Sequence, residues 1–267
     1  MCLIAMAIGQ SKEFPWICIA NRDEFTNRPT APMAFWSDHA AVLAGRDLQS
    51  GGSWMGVNKQ GHVAMLTNIR NSALNKGDAA PSRGKLINDF LIHGQLPSRS
   101  QSAEYSGFNL IVGNLQNLEF QECSNHHLLS EKDSAHAADF LNTLRPGIHT
   151  ISNGRLQSKW PKTARLGESL TTALQNLPPK VDSNQLAAQL LPLLQHRHQA
   201  QDHELPSTGI PLDWERMLSA IQIVSPTYGT RSSTVMILDK NKGLHIREVS
   251  YHPDGSPSLT NEFSLVI

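Results

Sequence analysis

Alternation between apolar and polar positions is the main signal in the first third of the chain. Runs rich in branched and aromatic residues, separated by Gly, Asn and Asp, predict short strands. The predicted strands of this part are Cys2–Ile8, Trp16–Asn21, Ala41–Ala44, Ser53–Val57 and His62–Thr67. Further along, the same pattern predicts Phe108–Gly113, Leu118–Glu122, His149–Asn153, Ala220–Ser225, Ser232–Leu238, Leu244–Tyr251 and Glu262–Val266.

Helical spacing of apolar residues appears between these two groups of strands. It predicts helices that begin near Gly84 and Trp160 and at Ser183, the last two ending at Leu174 and Leu194, and another over residues 135–144 with Ser134 as N-cap. The stretch from Gln195 to Asp213 is polar and broken by prolines, so we expect an exposed excursion there. Strands at both ends with helices between them favour one α+β domain over residues 1–267.

Composition narrows the possible partners. The chain has 267 residues, with 23 Lys and Arg against 23 Asp and Glu, and its formal net charge is zero. No basic run suggests contact with a phosphate backbone, so nucleic acid is not an expected partner. The apolar opening is too short for a transmembrane span and lacks the layout of a signal peptide. We therefore expect a cytoplasmic protein without a transmembrane segment.

The position of Cys2 suggests a chemical role. The chain has three cysteines, Cys2, Cys18 and Cys123, so any disulfide scheme leaves one unpaired, and their spacing is not typical of a metal site. Removal of Met1 would leave Cys2 with both a thiol and a free α-amine. Their reference pKa values are about 8.5 and about 7.7–8.0, which makes proton exchange between them easy near neutral pH. Cys2 is therefore a candidate nucleophile.

Strongly polar residues interrupt the apolar pattern where predicted strands end. The tetrad Asn21–Glu24 follows the second strand, Asn68 and Asn153 each end a strand, and Arg231 enters an apolar strand within "YGTRSST". Each has an ordinary structural explanation as a turn residue or a solvated charge. An arginine inside a strand nevertheless needs a partner, because burying an unpaired charge is costly.

Two other features carry less weight. The glycine-rich stretch Gly45–Gly56 lacks the patterns of nucleotide loops, so we interpret it as a turn against which Trp54 packs or as the rim of a cleft. The histidines have no carboxylate spacing typical of zinc, and we interpret them as solvated: His126, His127, His196, His198 and His203. No metal site is predicted.

An ordered set of motifs over nearly the whole chain resembles the NRDE family. The motifs are "MC.I", "ANRDEF..RP", "GG.W.G", "LTN", "GFNL", "SN" before "W.K", and "YGTR..T". That family includes the transport and Golgi organisation protein 2 of animals. More remotely, the chain is similar to the cysteine N-terminal nucleophile hydrolases related to choloylglycine hydrolase and penicillin V acylase. This resemblance implies a four-layer αββα sandwich.

The resemblance also implies roles for individual residues. Cys2 would be the nucleophile, Asp23 would orient its amine and thiol, and Arg22 would support that pair. Asn153 would occupy the oxyanion position and Arg231 the charged position near the nucleophile, and the remaining asparagine would be Asn68. The hydrolases have Arg-x-x-Asp, whereas Arg22 and Asp23 are adjacent here. Because adjacent strand residues face opposite ways, we expect one of them to point away from Cys2.

Two functions are compatible with this set of residues. The family's implied activity favours binding and trafficking of a hydrophobic ligand with a carboxylate, with haem and acyl-CoA or another lipid as the candidates. Arginines and amides beside apolar walls could hold such a ligand without turnover. Its expected binding residues are Asn21, Glu24, Arg28, Trp54 and Tyr228. The alternative is an enzyme, a Cys2-dependent amidohydrolase or thioesterase, and the departure at Arg22 and Asp23 leads us to prefer binding.

Overall fold

The computed structural model describes residues 2–71, 74–125 and 141–267. These residues form two compact units. The first comprises the chain up to Asn27, Pro146–Ser152 and Leu156–Ile267, and the second comprises Arg28–Arg145 and Asn153–Arg155. The prediction that residues 1–267 form a single domain stays a prediction.

The secondary structure combines strands and helices in each unit. The strands are β1 (Cys2–Ile8), β2 (Trp16–Phe25), β3 (Thr30–Phe35), β4 (Val42–Asp47), β5 (Met55–Asn58), β6 (His62–Asn68), β7 (Phe108–Asn114), β8 (Glu119–Ser124), β9 (Leu141–Thr143), β10 (Gly147–Ile151), β11 (Tyr228–Leu238), β12 (Gly243–Tyr251) and β13 (Pro257–Val266). The α-helices are α1 (Gly84–His93), α2 (Arg99–Ser102), α3 (Pro161–Gln175), α4 (Ser183–Leu190) and α5 (Leu212–Leu218). Short 3-10 helices lie at Gly77–Ala79, Leu191–Gln195 and Asp202–Glu204.

The first unit is built on an antiparallel sheet in the order β10-β1-β2-β11-β12-β13. Leu3 and Ile19 are among the residues on one face of this sheet that pack against α3 and α4 through Leu166, Leu170 and Leu186. Alternate positions on the strands supply these side chains, because successive residues point to opposite faces. The helix layer therefore covers one face of the sheet.

The second unit has its own antiparallel sheet, in the order β3-β4-β5-β6-β7-β8-β9. Helix α1 lies against it and buries Leu86, Ile87 and Leu91 in a cluster with strand residues such as Ala64 and Leu110. Those three helix residues have the spacing of one helical face, as the sequence predicted. Each unit thus pairs an antiparallel sheet with helices, so the predicted α+β class is confirmed, with the two β and two α layers that an αββα sandwich contains.

The most consequential difference from the sequence prediction concerns β2. The predicted strand ended at Asn21 and left the polar tetrad in a turn, but β2 runs on to Phe25. Asn21, Arg22 and Asp23 are all buried in the strand. Polar residues are tolerated here because partners elsewhere in the unit accept and donate their hydrogen bonds.

Other predicted boundaries also differ. Residues 220–225 are irregular instead of forming a strand, and α5 just before them was not predicted. The predicted helix over residues 135–144 lies mostly outside the described residues, and its described end contains β9. Strand β10 ends at Ile151, so Asn153 follows it by two residues. The predicted excursion from Gln195 to Asp213 is largely exposed, although the Arg197 side chain anchors it by donating to Gln222 and to the Gly255 carbonyl.

Asn21 explains how the irregular segment is held. Its amide nitrogen donates to the carbonyl oxygens of Leu194 and Ile221, both at 2.8 Å, and its amide oxygen accepts from the Ser233 hydroxyl at 2.6 Å. One buried side chain therefore joins β2 to β11, to the 3-10 helix after α4 and to residues 220–225. These bonds occupy both ends of the amide, so Asn21 has a structural role, and ligand binding by it stays a prediction.

Replacement of Asn21 by Asp should strongly destabilise the protein. The change would turn a two-hydrogen donor into a buried anion that faces two carbonyl oxygens, and we expect the free energy of unfolding to fall by about 3–5 kcal/mol. Urea denaturation followed by circular dichroism would measure the change. Asn176→Asp is the matched control, because that amide donates to one carbonyl, Thr172, in an exposed position. Equal effects of the two substitutions would contradict the structural role of Asn21.

Candidate functional site

Cys2 and Arg22 lie side by side in the first unit. The register pairs Cys2 with Arg22 across β1 and β2, and pairs Arg22 with Ser232 across β2 and β11. Directly opposite residues of antiparallel strands point to the same face, so the three side chains form one row. All three are buried. The Ser152 hydroxyl donates to the Cys2 carbonyl at 3.0 Å and ties the chain after β10 to this end of β1.

Asp23 points to the opposite face of the sheet, as the adjacent positions of Arg22 and Asp23 predicted. Its carboxylate accepts the Thr230 hydroxyl at 2.7 Å, and its carbonyl accepts the Tyr228 hydroxyl at 3.1 Å. Both partners belong to β11. The register places Asp23 one position beyond the partner of Cys2.

A β-bulge changes the direction of Arg231. The register of β11 against β2 shifts between Thr230 and Ser232, so Arg231 is the extra residue. Its guanidinium group donates to the carbonyl oxygens of Phe25 and Thr26 at 3.0 and 2.9 Å. Arg231 is therefore only half-buried and holds the end of β2. The sequence required a partner for this charge, and these two backbone carbonyl oxygens are among its partners.

The charged side chains of Arg22 and Glu24 in the tetrad also affect the pKa of Arg231. Burial lowers the pKa of Arg231, the positive charge of Arg22 lowers it further, and the negative charge of Glu24 raises it. Two guanidinium groups and one carboxylate are thus electrostatically coupled at the end of β2. The carboxylate belongs to Glu24, a predicted binding residue and the second-last residue of β2.

An aromatic cluster adjoins the same end of β2. The rings of Phe25 and Tyr228 meet edge-on with centroids 5.1 Å apart, and Trp214 of α5 lies 6.3 Å from Phe25 and 5.6 Å from Tyr228. Tyr228 is buried, whereas 47% of Phe25 is exposed. The predicted binding residue Tyr228 therefore connects Asp23 to an apolar surface.

Lys162 is a site residue to which the sequence analysis assigned no role. It is the second residue of α3, is 2% exposed and interacts electrostatically with Asp23. The sequence did contain a signal, because Lys162 is the last letter of the family motif "W.K". A lysine in the first turn of an amphipathic helix looks like an ordinary surface residue, which is why the pattern alone did not identify it.

Burial dominates the titration of this cluster. It raises the pKa of the Cys2 thiol, and the negative charge of Asp23 acts in the same direction. Burial also raises the pKa of the Asp23 carboxyl, whereas the Lys162 ammonium group and the Thr230 hydroxyl act in the opposite direction. The pKa of Tyr228 is raised well above its ordinary value by burial and by Asp23. With Met1 attached, the Cys2 thiol is therefore protonated at neutral pH.

The two predicted asparagines belong to the second unit. The Asn153 side chain donates to the Asn68 carbonyl at 2.9 Å, and the Asn153 carbonyl accepts from the Arg70 backbone at 2.7 Å. Asn153 is fully buried, and Asn68 ends β6. The structure thus brings these two residues together. Their predicted action on a substrate of Cys2 stays a prediction.

Two further predicted binding residues, also in the second unit, make local contacts. The Arg28 side chain donates to Asp47 at 2.6 Å and to Ser50 at 2.9 Å. Trp54 is buried with its ring over Gly45, where a Cβ atom would overlap the indole. Gly45, which lies in strand β4, thus gives the ring room to pack. Ligand contact by either residue stays a prediction.

We also searched the described residues for a metal site and for a membrane-spanning helix. Among residues 2–71, 74–125 and 141–267, no three His, Cys, Asp or Glu side chains cluster as a metal site would require. His126 and His127 lie outside this range. Nor does the described part of the chain contain a helix that is long and apolar enough to cross a membrane.

Comparison with known proteins identifies the family. The family model of Transport and Golgi organisation 2 matches residues 1–253. The Transport and Golgi organization protein 2 homolog of Bos taurus is 30% identical over 269 residues, which cover 93% of this chain and 92% of that protein. The Mus musculus homolog is 28% identical and covers 94% and 92%.

Solved structures are similar over most of the chain. The C2A mutant of conjugated bile acid hydrolase from Clostridium perfringens has a TM-score of 0.47 at 8% identity, covering 98% of this chain and 96% of that one. An N-acylethanolamine-hydrolyzing acid amidase ortholog from Caenorhabditis elegans has a TM-score of 0.44 at 12% identity, covering 88% and 92%. With a family model that matches nearly end to end, the sequence-based assignment is confirmed: the chain belongs to the Transport and Golgi organisation 2 family.

Proposed function

We propose that the protein binds and carries a hydrophobic ligand that bears a carboxylate, either haem or an acyl-CoA or other lipid. The observation that carries this proposal is the meeting of arginine charge and exposed aromatic surface at the end of β2. Arg22 and Arg231 interact electrostatically there, and the half-exposed ring of Phe25 belongs to the same strand end.

The chemistry of the two parts fits such a ligand. A carboxylate placed between two arginines relieves their mutual repulsion and accepts charge-assisted hydrogen bonds. The apolar body of the ligand would cover Phe25 and Trp214, which removes aromatic surface from water. Arg231 is already held in place by the carbonyl oxygens at the end of β2, so little side-chain freedom is lost on binding.

The state of Cys2 supports binding over turnover. A thiol attacks an acyl group as its thiolate, and burial raises the pKa of Cys2 so that little thiolate forms at neutral pH. With Met1 attached, the nitrogen of Cys2 is part of a peptide bond and cannot act as a base. The buried thiol then stays protonated beside Arg22.

A second candidate function is a hydrolase that cleaves an amide or thioester bond through Cys2. It is favoured by the neighbouring positions of Cys2, Arg22 and Asp23 at one end of the first sheet. Removal of Met1 would leave Cys2 with a free α-amine beside Asp23. This amine could take the proton of the thiol and hold it during attack. In this function Asn153 and Asn68 would stabilise the oxyanion.

The proposal also covers the location of the protein in the cell and the kind of partner that it binds. We propose a cytoplasmic protein whose partner is a small ligand and not nucleic acid. The balanced charge of the chain supports the second point, since nucleic-acid binding usually requires clustered basic residues.

Replacement of Phe25 by Ala should weaken ligand binding without changing the fold. Loss of one aromatic contact corresponds to about 1–2 kcal/mol, so we expect the dissociation constant to rise roughly 5–30-fold. Haem binding would be followed by absorbance and palmitoyl-CoA binding by calorimetry. Phe35→Ala is the matched control, because Phe35 is 43% exposed on β3 and its ring lies against Lys59. Equal affinities for both variants and the wild type would overturn the proposed site.

The alkylation of Cys2 should depend on processing and pH. With Met1 retained, the raised pKa predicts slow reaction with iodoacetamide at pH 7 and a rate that still rises with pH above about 8.5, the ordinary thiol value, where an unperturbed thiol approaches its plateau. Intact mass would report Met1, and peptide mapping would report the modified cysteine. The Cys2→Ser variant provides the background from Cys18 and Cys123. Rapid alkylation of Cys2 at pH 7 in the unprocessed chain would contradict this account and favour the hydrolase.

A further inference from the structure

Lys162 occupies an unusual position for a cation. It shares a stripe of α3 with Leu166 and Leu170, four and eight residues later, and those two leucines pack on the sheet of the first unit. Lys162 is therefore directed into the same layer and is 2% exposed. The start of the helix is well anchored, because Pro161 is its first residue and the Thr163 hydroxyl donates to the Trp160 carbonyl at 2.9 Å.

Two physical effects oppose an ammonium group at this place. Burial removes it from water, which is costly for a charge without a compensating partner. The first turn of a helix carries a partial positive charge, which favours acidic residues and disfavours lysine. A buried lysine in the first turn must therefore be stabilised by a nearby anion.

Asp23 is that anion. It lies two residues after Asn21 on β2, so both side chains point to the same face of the sheet. Asn21 bonds to the Leu194 carbonyl in the helix layer, which identifies this face as the one that α3 covers. Lys162 and Asp23 are thus at the polar end of the helix–sheet core, and their charges interact.

Besides Lys162, the polar and charged groups that interact with Asp23 belong to strands β1, β2 and β11. Thr230 and Tyr228 of β11 donate hydroxyl hydrogens to its carboxylate and its carbonyl. Cys2 of β1 and Arg22 of β2 interact with it electrostatically. The Lys162 ammonium group acts against burial and lowers the pKa of the Asp23 carboxyl group.

We propose that Lys162 is a positioning residue of the site: its buried ammonium group allows Asp23 to ionise and holds that carboxylate against Thr230, at the strand end next to Cys2. The inference rests on the proposed function in one respect, because it takes the surroundings of Cys2 as the ligand site. An ionised Asp23 counterbalances Arg22, so Lys162 tunes the charge that a ligand carboxylate meets.

The test is a titration of Asp23 itself, without ligand. In protein labelled with ¹³C at aspartate carboxyl carbons, the Asp23 signal would be assigned by its loss in Asp23→Asn. Lys162→Met keeps the length of the side chain and removes the charge, and we expect the apparent pKa of Asp23 to rise by about 1–3 pH units. Lys162→Arg should keep it within a fraction of a unit of the wild type. An unchanged Asp23 titration in Lys162→Met would overturn the inference.

A matched control and a double variant make the test complete. Lys85→Met removes an exposed lysine paired with Asp89 and should leave the titration of Asp23 unchanged. If Lys162→Met fails to fold, the double variant with Asp23→Asn should fold better than that single variant, because it removes the unpaired buried charge as well. A double variant that folds no better than Lys162→Met would contradict the inference.

These measurements separate the inference from the proposed function. The titration of Asp23 needs no ligand, so a failure of haem and palmitoyl-CoA to bind would leave it unaffected. Conversely, an Asp23 pKa that does not respond to Lys162 would remove the inference and leave ligand binding at Phe25 and Arg231 intact.

Discussion

The register of β2 between β1 and β11 is the constraint on which the site depends. Pairing of Cys2 with Arg22 and of Arg22 with Ser232 sets one row of side chains, and the next position along β2 sends Asp23 to the other face. A slip by one residue would exchange the two faces and bury Arg22 against the helices. The buried hydrogen bonds of Asn21 disfavour such a slip, because all three partners would be lost together.

Each face of the strand end then acquires its own chemistry. Cys2 and Arg22 share one face, and Asp23 and Lys162 share the other, where the apolar core of the helix layer ends. Charges buried in this way are costly unless they are paired, so the cation in the first turn of α3 and the carboxylate on β2 require each other. The bulge at Arg231 adds a half-exposed arginine beside Phe25 and so connects this charged interior to an accessible apolar surface.

The sequence predicted the parts of the molecule that depend on local pattern. Helices α1 and α3 and strand β1 follow from the spacing of their apolar residues, and the family motifs singled out Cys2, Arg22, Asp23 and Arg231. Positions decided by distant contacts were not predictable in this way. Asn21, Arg22 and Asp23 look like a turn, yet they form a strand because the partners of Asn21 and Asp23 include Ile221 and Thr230, about 200 residues away in sequence. Residues 220–225 are apolar and look like a strand, yet they are held as an irregular segment by the Asn21 side chain. Lys162 was missed because its partner Asp23 lies 139 residues earlier in the sequence.

Recovery of the ligand after binding tests the central claim most directly. The protein would be equilibrated with haem, palmitoyl-CoA and an N-acyl amide, separated from unbound ligand, and analysed by mass spectrometry for both protein and ligand. Our account predicts that haem or palmitoyl-CoA returns in a fixed stoichiometry and chemically intact, from the wild type and from Cys2→Ala alike. Release of free fatty acid by the wild type that disappears in Cys2→Ala would contradict it, because that result requires Cys2 to act as a nucleophile.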